Sequence, residues 1–451
     1  MVTVGGTPEV VFVGLTILFI FSQAGYFIGN LMVALTLYLS PAALVTDDTP
    51  TPAIRPPIHI LMPIYREQEA VIRESLVEIF EADYPPDRLN VYLIYEDDDA
   101  AAKDYLDDLV ASVETHGGTI ETLCVDRPSL AIQTDQVTWE FSGELVPRTK
   151  AAALKYAFRV LSFTPGDVIT VFDADTVVPD DSFELAVAGL DRYDVVQMKQ
   201  TVRNVEDGLL PTWEAMGMAG WSRSIYQKTT GGPYQLLGKG YFIQAEDLYR
   251  LDDWDVSAIT EDLTLGIDAY TAGYSLGIVD RYVQDLCPTT FEDWVEQKRR
   301  WVAGPYPYLR YEAFDWLELA RFWTYSIFNQ FISVINVVGV PAGLLYLLFT
   351  LLGFPIYYSL PLAVITTFNL VSWVYYSLQS YLATESGVRF RSSAQRLYYY
   401  VVSNPFTQLL YSTLWVVPIV LAVWDYVIKG EERGFSVTPK SVSDPPTERQ
   451  S

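Results

Sequence analysis

Three long stretches of this chain carry no charged side chain: residues 10–46, 322–384 and 397–424. A helix needs about 20 apolar residues to cross the hydrocarbon core of a bilayer. Within that core the backbone must satisfy its own polar groups, which favours helices. The first stretch therefore predicts one long spanning helix. The second predicts two, broken at Gly353-Phe354-Pro355. The third has room for one span or for a helix lying in the interface. Asn404-Pro405 would break a straight span early, and the loop Arg389, Arg391, Arg396 before it belongs on the cytoplasmic side. A cleaved secretory signal fits the first stretch poorly, because there is no basic lead-in and the apolar run is too long.

The remaining sequence has the opposite character. Asp and Glu number 56 against 30 Lys and Arg, a formal net charge of −26. Nucleic-acid binding needs a basic footprint, so no nucleic-acid partner is expected. Acidity spread this widely is a solvation property and resembles that of proteins adapted to molar salt. Cys124 and Cys287 give neither a disulfide framework nor a metal-ligand spacing. With His59 and His116 as the only histidines, a histidine metal centre or a Ser-His-Asp triad is excluded by inventory.

A polar, Pro-rich linker closes at Pro57, and short apolar runs then alternate with amphipathic segments to about residue 290. IHILMPIY (58–65), NVYLIYE (90–96), TIETLCV (119–125) and DVITVFDAD (167–175) read as strands. Helices are expected over 67–82, near 100–115 and over 149–161. This alternation predicts an α/β domain with a doubly wound, mainly parallel sheet. Ligands in such sheets bind beyond the carboxyl ends of the strands.

Chemistry-bearing residues fall at those ends. Asp173-Ala174-Asp175 closes a strand, and two carboxylates there can share a hard cation with a diphosphate; in so acidic a chain the same pattern also occurs as a solvated turn. Glu96-Asp97-Asp98-Asp99 closes another strand, where a carboxylate can meet a base or ribose, or simply add surface charge. Lys150 can neutralise phosphate or sit on the surface. Thr260-Glu261-Asp262 has the pattern of a helix N-cap followed by first-turn acids, and it also offers Asp262 as a general base. On a helix starting near Phe291, Gln297-Lys298-Arg299-Arg300-Trp301 follows an apolar face of Phe291, Trp294 and Val295 that suits a bilayer interface.

In this order, and followed by apolar spans, these motifs resemble the family-two inverting glycosyltransferases. The likeness is to membrane-bound members such as cellulose and hyaluronan synthases and runs from about residue 55 to 440. It is supported by PIYREQEA (63–70), PRTKAAALKYA (147–157), GKGYF (238–242) and the stretch 254–273. Phe435-Ser436-Val437-Thr438-Pro439-Lys440 is similar to the gating-loop motif of bacterial cellulose synthases. The E-D-D-D cluster departs from the family's usual D-D-G.

The resemblance implies a GT-A domain on the cytoplasmic side of a multi-pass cell-membrane protein, with a UDP-sugar donor and Mg²⁺ or Mn²⁺. Asp175 and Asp173 would hold the metal, and Glu96 and Asp98 the nucleoside. Lys150, Asp173, Gln297 and Arg300, with Thr438 and Lys440, would serve the donor diphosphate. Asp262, flanked by Glu261 and Thr260, would deprotonate the acceptor, which Trp301 and Tyr241 would contact. A growing polysaccharide is the expected acceptor, with a polyprenyl-phosphate or lipid-linked glycan as the alternative. If the gating-loop segment reaches the site, residues 397–424 must stay interfacial or re-entrant. A transporter or receptor would place charged groups inside its spans, and these spans carry none.

Overall fold

The computed structural model describes residues 7–38, 42–125, 149–355, 357 and 359–430. Thr438 and Lys440 lie outside them. The first half of the α/β domain follows the predicted alternation. Strand β1 (Leu44–Val45) precedes β2 (Ile58–Ile64), α2 (Glu69–Glu81), β3 (Leu89–Glu96), α3 (Ala100–Ser112), β4 (Thr119–Val125), α4 (Lys150–Leu161) and β5 (Val168–Val171); α1 (Thr7–Thr36) is the first apolar helix. The central strands read as continuous apolar runs because helices cover both faces of the sheet. Helix α2 shows the reason locally: Val71, Ile72, Leu76, Ile79 and Phe80 recur at helical spacing and are all buried.

The second half holds elements of which the sequence pattern marked only the helix that opens at Glu261. They are α5 (Ser182–Leu190), β6 (Val195–Val202), α6 (Leu209–Ser224), β7 (Tyr241–Gln244), α7 (Ala245–Arg250), α8 (Glu261–Thr271) and β8 (Leu276–Asp285). The eight strands form one sheet in the order β1-β8-β6-β7-β5-β2-β3-β4. Only β7 runs antiparallel, against both β5 and β6. One edge of the sheet therefore gathers the carboxyl ends of β3, β5 and β8 together with the start of β7.

Helix α9 (Phe291–Ala303) leads to α10 (Trp316–Leu351) and α11 (Leu360–Gly387), and Gly353 and Pro355 fall in the break between them. Then come α12 (Ser393–Val402), α13 (Pro405–Leu414) and α14 (Val416–Ala422), which ends in a π-helical turn over Val423–Lys429. Among the described residues, three helical stretches are long and apolar enough to cross a membrane: Glu9–Thr36, Trp316–Leu351 and Pro405–Lys429. Helix α11 is charge-free as far as Thr384 but is diluted by Thr366, Asn369, Ser377, Gln379 and Ser380, so it is long enough without being as apolar.

At 1.5 Å per residue, α10 is about 54 Å long, well beyond the roughly 30 Å of a hydrocarbon core. Its first turns stay with the α/β domain, where Phe322 and Tyr325 pack on Leu263 and Ile267 of α8. Helix α1 packs along both α10 and α11. The stretch Pro405–Lys429 touches the α/β side near both ends: Gln408 donates to the carbonyl of Trp213 of α6 at 3.0 Å, and Arg299 of α9 lies 3.2 Å from Asp425.

Candidate active site

The site grows from the edge where β3, β5, β7 and β8 meet. After β5 the chain turns through Asp173-Ala174-Asp175-Thr176 and returns along β8, where Val177 pairs with Gln284. Thr176 holds the turn, since its Oγ1 accepts from the Asp173 amide at 3.1 Å and donates to Asp285 Oδ1 at 2.8 Å. The Leu286 amide donates to Asp175 Oδ2 at 2.8 Å, and Asp175 is fully buried. Asp173, Asp175 and Asp285 thus offer one oxygen each within 4.8 Å of one another. Asp285 escaped the sequence reading although it too ends a strand.

Two lysines face this cluster. Lys150, in the first turn of α4, donates to Asp173 Oδ1 at 2.6 Å and to the Gly238 carbonyl at 2.8 Å, and lies 3.7 Å from Glu261. Burial alone would push its ammonium down, but Asp173, Glu261 and Asp262 outweigh burial and raise its pKa. Lys239, in the loop before β7, lies 2.6 Å from Asp285 Oδ2 and 3.5 Å from Asp173 Oδ2. It stands inside the quoted GKGYF segment, yet the sequence singled out only Tyr241 there.

Asp262 sits in the first turn of α8 and accepts from the Gly238 amide. Gly238 has φ +42, a conformation that a side chain would strain. Burial, reinforced by Glu261, pushes the Asp262 carboxyl up to about 7; Lys150 and the amides of Leu263 and Gly238 oppose the shift. Thr260 does occupy the N-cap, but its side chain makes no cap hydrogen bond. It packs on Gly304 instead, where a Cβ would stand 2.6 Å from its Oγ1.

Helix α9 brings Gln297, Arg300 and Trp301 to the same cavity. Burial lowers the Arg300 pKa against the opposing pull of Glu261, Glu296 and Asp173. The face expected to meet the bilayer is only partly free. Phe291 is exposed, but Trp294 is fully buried and donates to Glu214 of α6 at 2.8 Å. Lys298 is buried as well, 2.7 Å from Glu214 and 3.4 Å from the centre of the Trp301 ring.

Two expectations fail. Tyr241 does not face an acceptor: it is buried within the sheet, and its hydroxyl accepts from Trp254 at 2.8 Å. Of the four acids after β3, Glu96 reaches the cavity, whereas Asp98 is exposed on the turn and does not line it. The neighbouring Asp99 is committed to structure, accepting from the amides of Arg66 at 2.5 Å and Ala102 at 3.2 Å.

The cavity holding Glu96, Lys150, Asp173, Thr260, Glu261, Asp262, Gln297, Arg300 and Trp301 has a volume of about 1350 Å³. It does not end at the α/β domain. It continues between α1, α10, α11 and α13, past Gln23, Asn30, Asn336 and Asn369.

Comparison with known proteins agrees with this arrangement. Residues 168–424 match the model of "Glycosyl transferase family group 2". A beta-monoglucosyldiacylglycerol synthase of Synechocystis sp. is 28% identical over 273 residues, 59% of this chain and 52% of the relative. Its counterpart in Trichormus variabilis is 26% identical over 254 residues, 54% of this chain and 48% of the relative. The matches thus span about half the length of these curated relatives. Among solved structures, the mannosyltransferase PcManGT of Pyrobaculum calidifontis, in complex with GDP-Man and Mn²⁺, superposes with a TM-score of 0.53 at 17% identity, covering 91% of this chain and 99% of that one. That likeness concerns the fold, a GT-A-like sheet with helices. The family match covers more than half of the sequence, and the chain belongs to the glycosyltransferases of family group 2.

Proposed function

We propose that this glycosyltransferase moves a sugar, with inversion, from a nucleoside-diphosphate sugar to a hydroxyl of a membrane-lipid acceptor. The observation that carries this reading is the single cavity leading from Asp262 and Asp173 to the space between the apolar helices. The names of the relatives point the same way, since they make a glucosylated diacylglycerol. The polysaccharide expectation leaned on the helix carrying Gln297, Arg300 and Trp301 and on the gating-loop-like segment 435–440, the latter outside the described residues.

The residues present fit a divalent cation. Three carboxylate oxygens cluster within 4.8 Å, and hard cations such as Mg²⁺ or Mn²⁺ take oxygen ligands together with substrate phosphate. Asp173, Asp175 and Asp285 would hold it in competition with the Lys239 ammonium. When bound, it would neutralise charge on the donor diphosphate.

The protein's own groups divide the remaining work. Lys150, Lys239 and Arg300 face the space where negative charge develops on the leaving diphosphate. Gln297 and Glu96 also line the cavity, and Glu96 would meet the nucleoside. Asp262 Oδ takes the proton of the acceptor hydroxyl, whose oxygen attacks the anomeric carbon. The anomeric C–O bond breaks, and its electron pair leaves on the nucleoside diphosphate. Trp301, partly exposed in the cavity, offers a ring face to a sugar.

The test is product analysis. The purified full chain is incubated with a panel of nucleoside-diphosphate sugars and a membrane-lipid extract, and the products are examined by mass spectrometry. A sugar-bearing lipid formed in step with free nucleoside diphosphate is expected. Transfer confined to soluble oligosaccharides would overturn the lipid acceptor.

A further inference from the structure

The half of the cavity enclosed by helices differs chemically from the half enclosed by the α/β domain. Among the described residues, the cations lining the cavity are Arg66, Lys150, Lys239, Lys298 and Arg300, all in the α/β domain or on α9. Its lining from α1, α10, α11 and α13 contains no charged residue, only apolar, hydroxyl and amide side chains.

The amides there are ordered. Asn336 of α10 accepts from the Tyr26 hydroxyl at 2.6 Å and donates to Ser412 of α13. Asn369 of α11 accepts from Asn30 at 3.2 Å and donates to the Gln23 side chain at 3.0 Å. Such bonds also hold helices together in an apolar medium. Tyr325 is different. It is 3% exposed, lines the cavity, and its hydroxyl has no hydrogen-bond partner among the described residues. A buried hydroxyl left unpaired is costly, and an acceptor's polar atom would satisfy it.

The point of attack has a matching signature. Glu261 and Asp262 stand side by side at the start of α8, facing the cavity. A phosphate nucleophile needs no base and would be repelled by this pair, whereas an alcohol needs a carboxylate to take its proton.

We propose that the helix-enclosed half of the cavity is the acceptor site, that it takes a neutral, hydroxyl-bearing lipid rather than a polyprenyl phosphate, and that Tyr325 helps to seat the lipid's polar head. This rests on the transferase reading above. The acceptor O–H proton passes to Asp262, the new O–C bond forms at the anomeric carbon, and the donor diphosphate leaves with the bonding pair.

The test uses the full chain in lipid nanodiscs with the donor that gives turnover. Diacylglycerol, its monoglucoside and a polyprenyl phosphate are supplied in separate reactions. Transfer to one or both neutral lipids is expected, with at least about tenfold less to the polyprenyl phosphate. Two variants probe the chamber. Gly343 lines it, and a Cβ there would meet nothing within 4 Å. Gly343→Phe should fill space in the chamber and lower kcat/KM for the neutral lipid at least about tenfold, through KM. Tyr325→Phe, which removes only the hydroxyl, should act in the same direction. Leu347→Phe, at an exposed position of the same helix, should leave lipid transfer unchanged. Preferred use of polyprenyl phosphate, elongation of a free glycan, or indifference of lipid KM to Gly343→Phe would overturn the proposal while leaving the transferase reading intact. Absence of sugar transfer or donor turnover with every acceptor would remove both.

Discussion

Lys298 of α9 and Glu214 of α6 form a fully buried ion pair at 2.7 Å, which fixes the helix bearing Trp301 against the α/β domain. In the sequence Lys298 stood out only as a neighbour of Gln297 and Arg300. In the fold it is half of a charge pair shielded from water, and Glu214 also accepts from Trp294 and from Tyr411 of α13.

Breaking that pair should be costly. Removal of one partner leaves the other charge buried and alone, typically about 3–5 kcal/mol of stability. Glu214→Ala should lower the thermal midpoint strongly, and adding Lys298→Met should restore part of it. Unfolding followed in detergent checks this, and a double variant no better than Glu214→Ala would refute the pairing.

Asp285 should matter to donor binding as much as Asp175 does. Asp285→Ala removes one of three clustered oxygens and leaves Lys239 without its nearer partner. Divalent-dependent binding of the nucleoside diphosphate should weaken by about tenfold or more. Calorimetry with and without Mn²⁺ reads this out. Unchanged metal-dependent affinity would detach Asp285 from the site.

The stretch Pro405–Lys429 is long enough to cross a membrane, yet Gln408 near its start bonds Trp213 of α6 and Asp425 near its end pairs with Arg299 of α9. We propose that it returns to the side from which it starts. With Cys124 and Cys287 replaced, Lys429→Cys should react with an impermeant maleimide only after cells are opened. Labelling of intact cells would place the helix end outside and make the stretch a true span.

The raised pKa of Asp262, about 7, has two opposite consequences. As a base it must be ionised, so kcat/KM should fall as pH drops through 7. For stability the sign reverses. The folded state holds this proton more tightly than the unfolded chain, whose carboxyl titrates near 3.8. Its contribution is complete below that value and is lost as pH rises through about 7. Asp262→Asn should therefore gain more thermal stability relative to wild type at pH 8 than at pH 5. An equal difference at both pH values would mean that the carboxyl is not perturbed by burial.

The first half of the sheet was legible because β2 to β5 are short apolar runs between amphipathic helices. The second half was not. In β8 the polar pair Asp280-Arg281 interrupts the apolar run, and the register with β6 shifts between Met198 and Lys199 to accommodate it. With that strand unrecognised, Asp285 had no strand end to mark it. Tyr241 misled for a related reason: until β7 is placed, nothing tells which of its alternating side chains face the core. Among four consecutive acids, composition could not choose. Turn geometry chose, taking Asp99 for the cap of α3 and leaving Asp98 outside the cavity. The residues Asp173, Asp262, Gln297, Arg300 and Trp301 line one cavity because each lies at a strand end or on a helix that borders the same edge.

Single-turnover kinetics of Asp262→Asn test the central claim most directly. Asparagine keeps the shape but cannot take the acceptor proton. The account predicts sugar transfer slower by about 10²–10⁴-fold, with nucleoside-diphosphate affinity essentially unchanged. Transfer near the wild-type rate would contradict it.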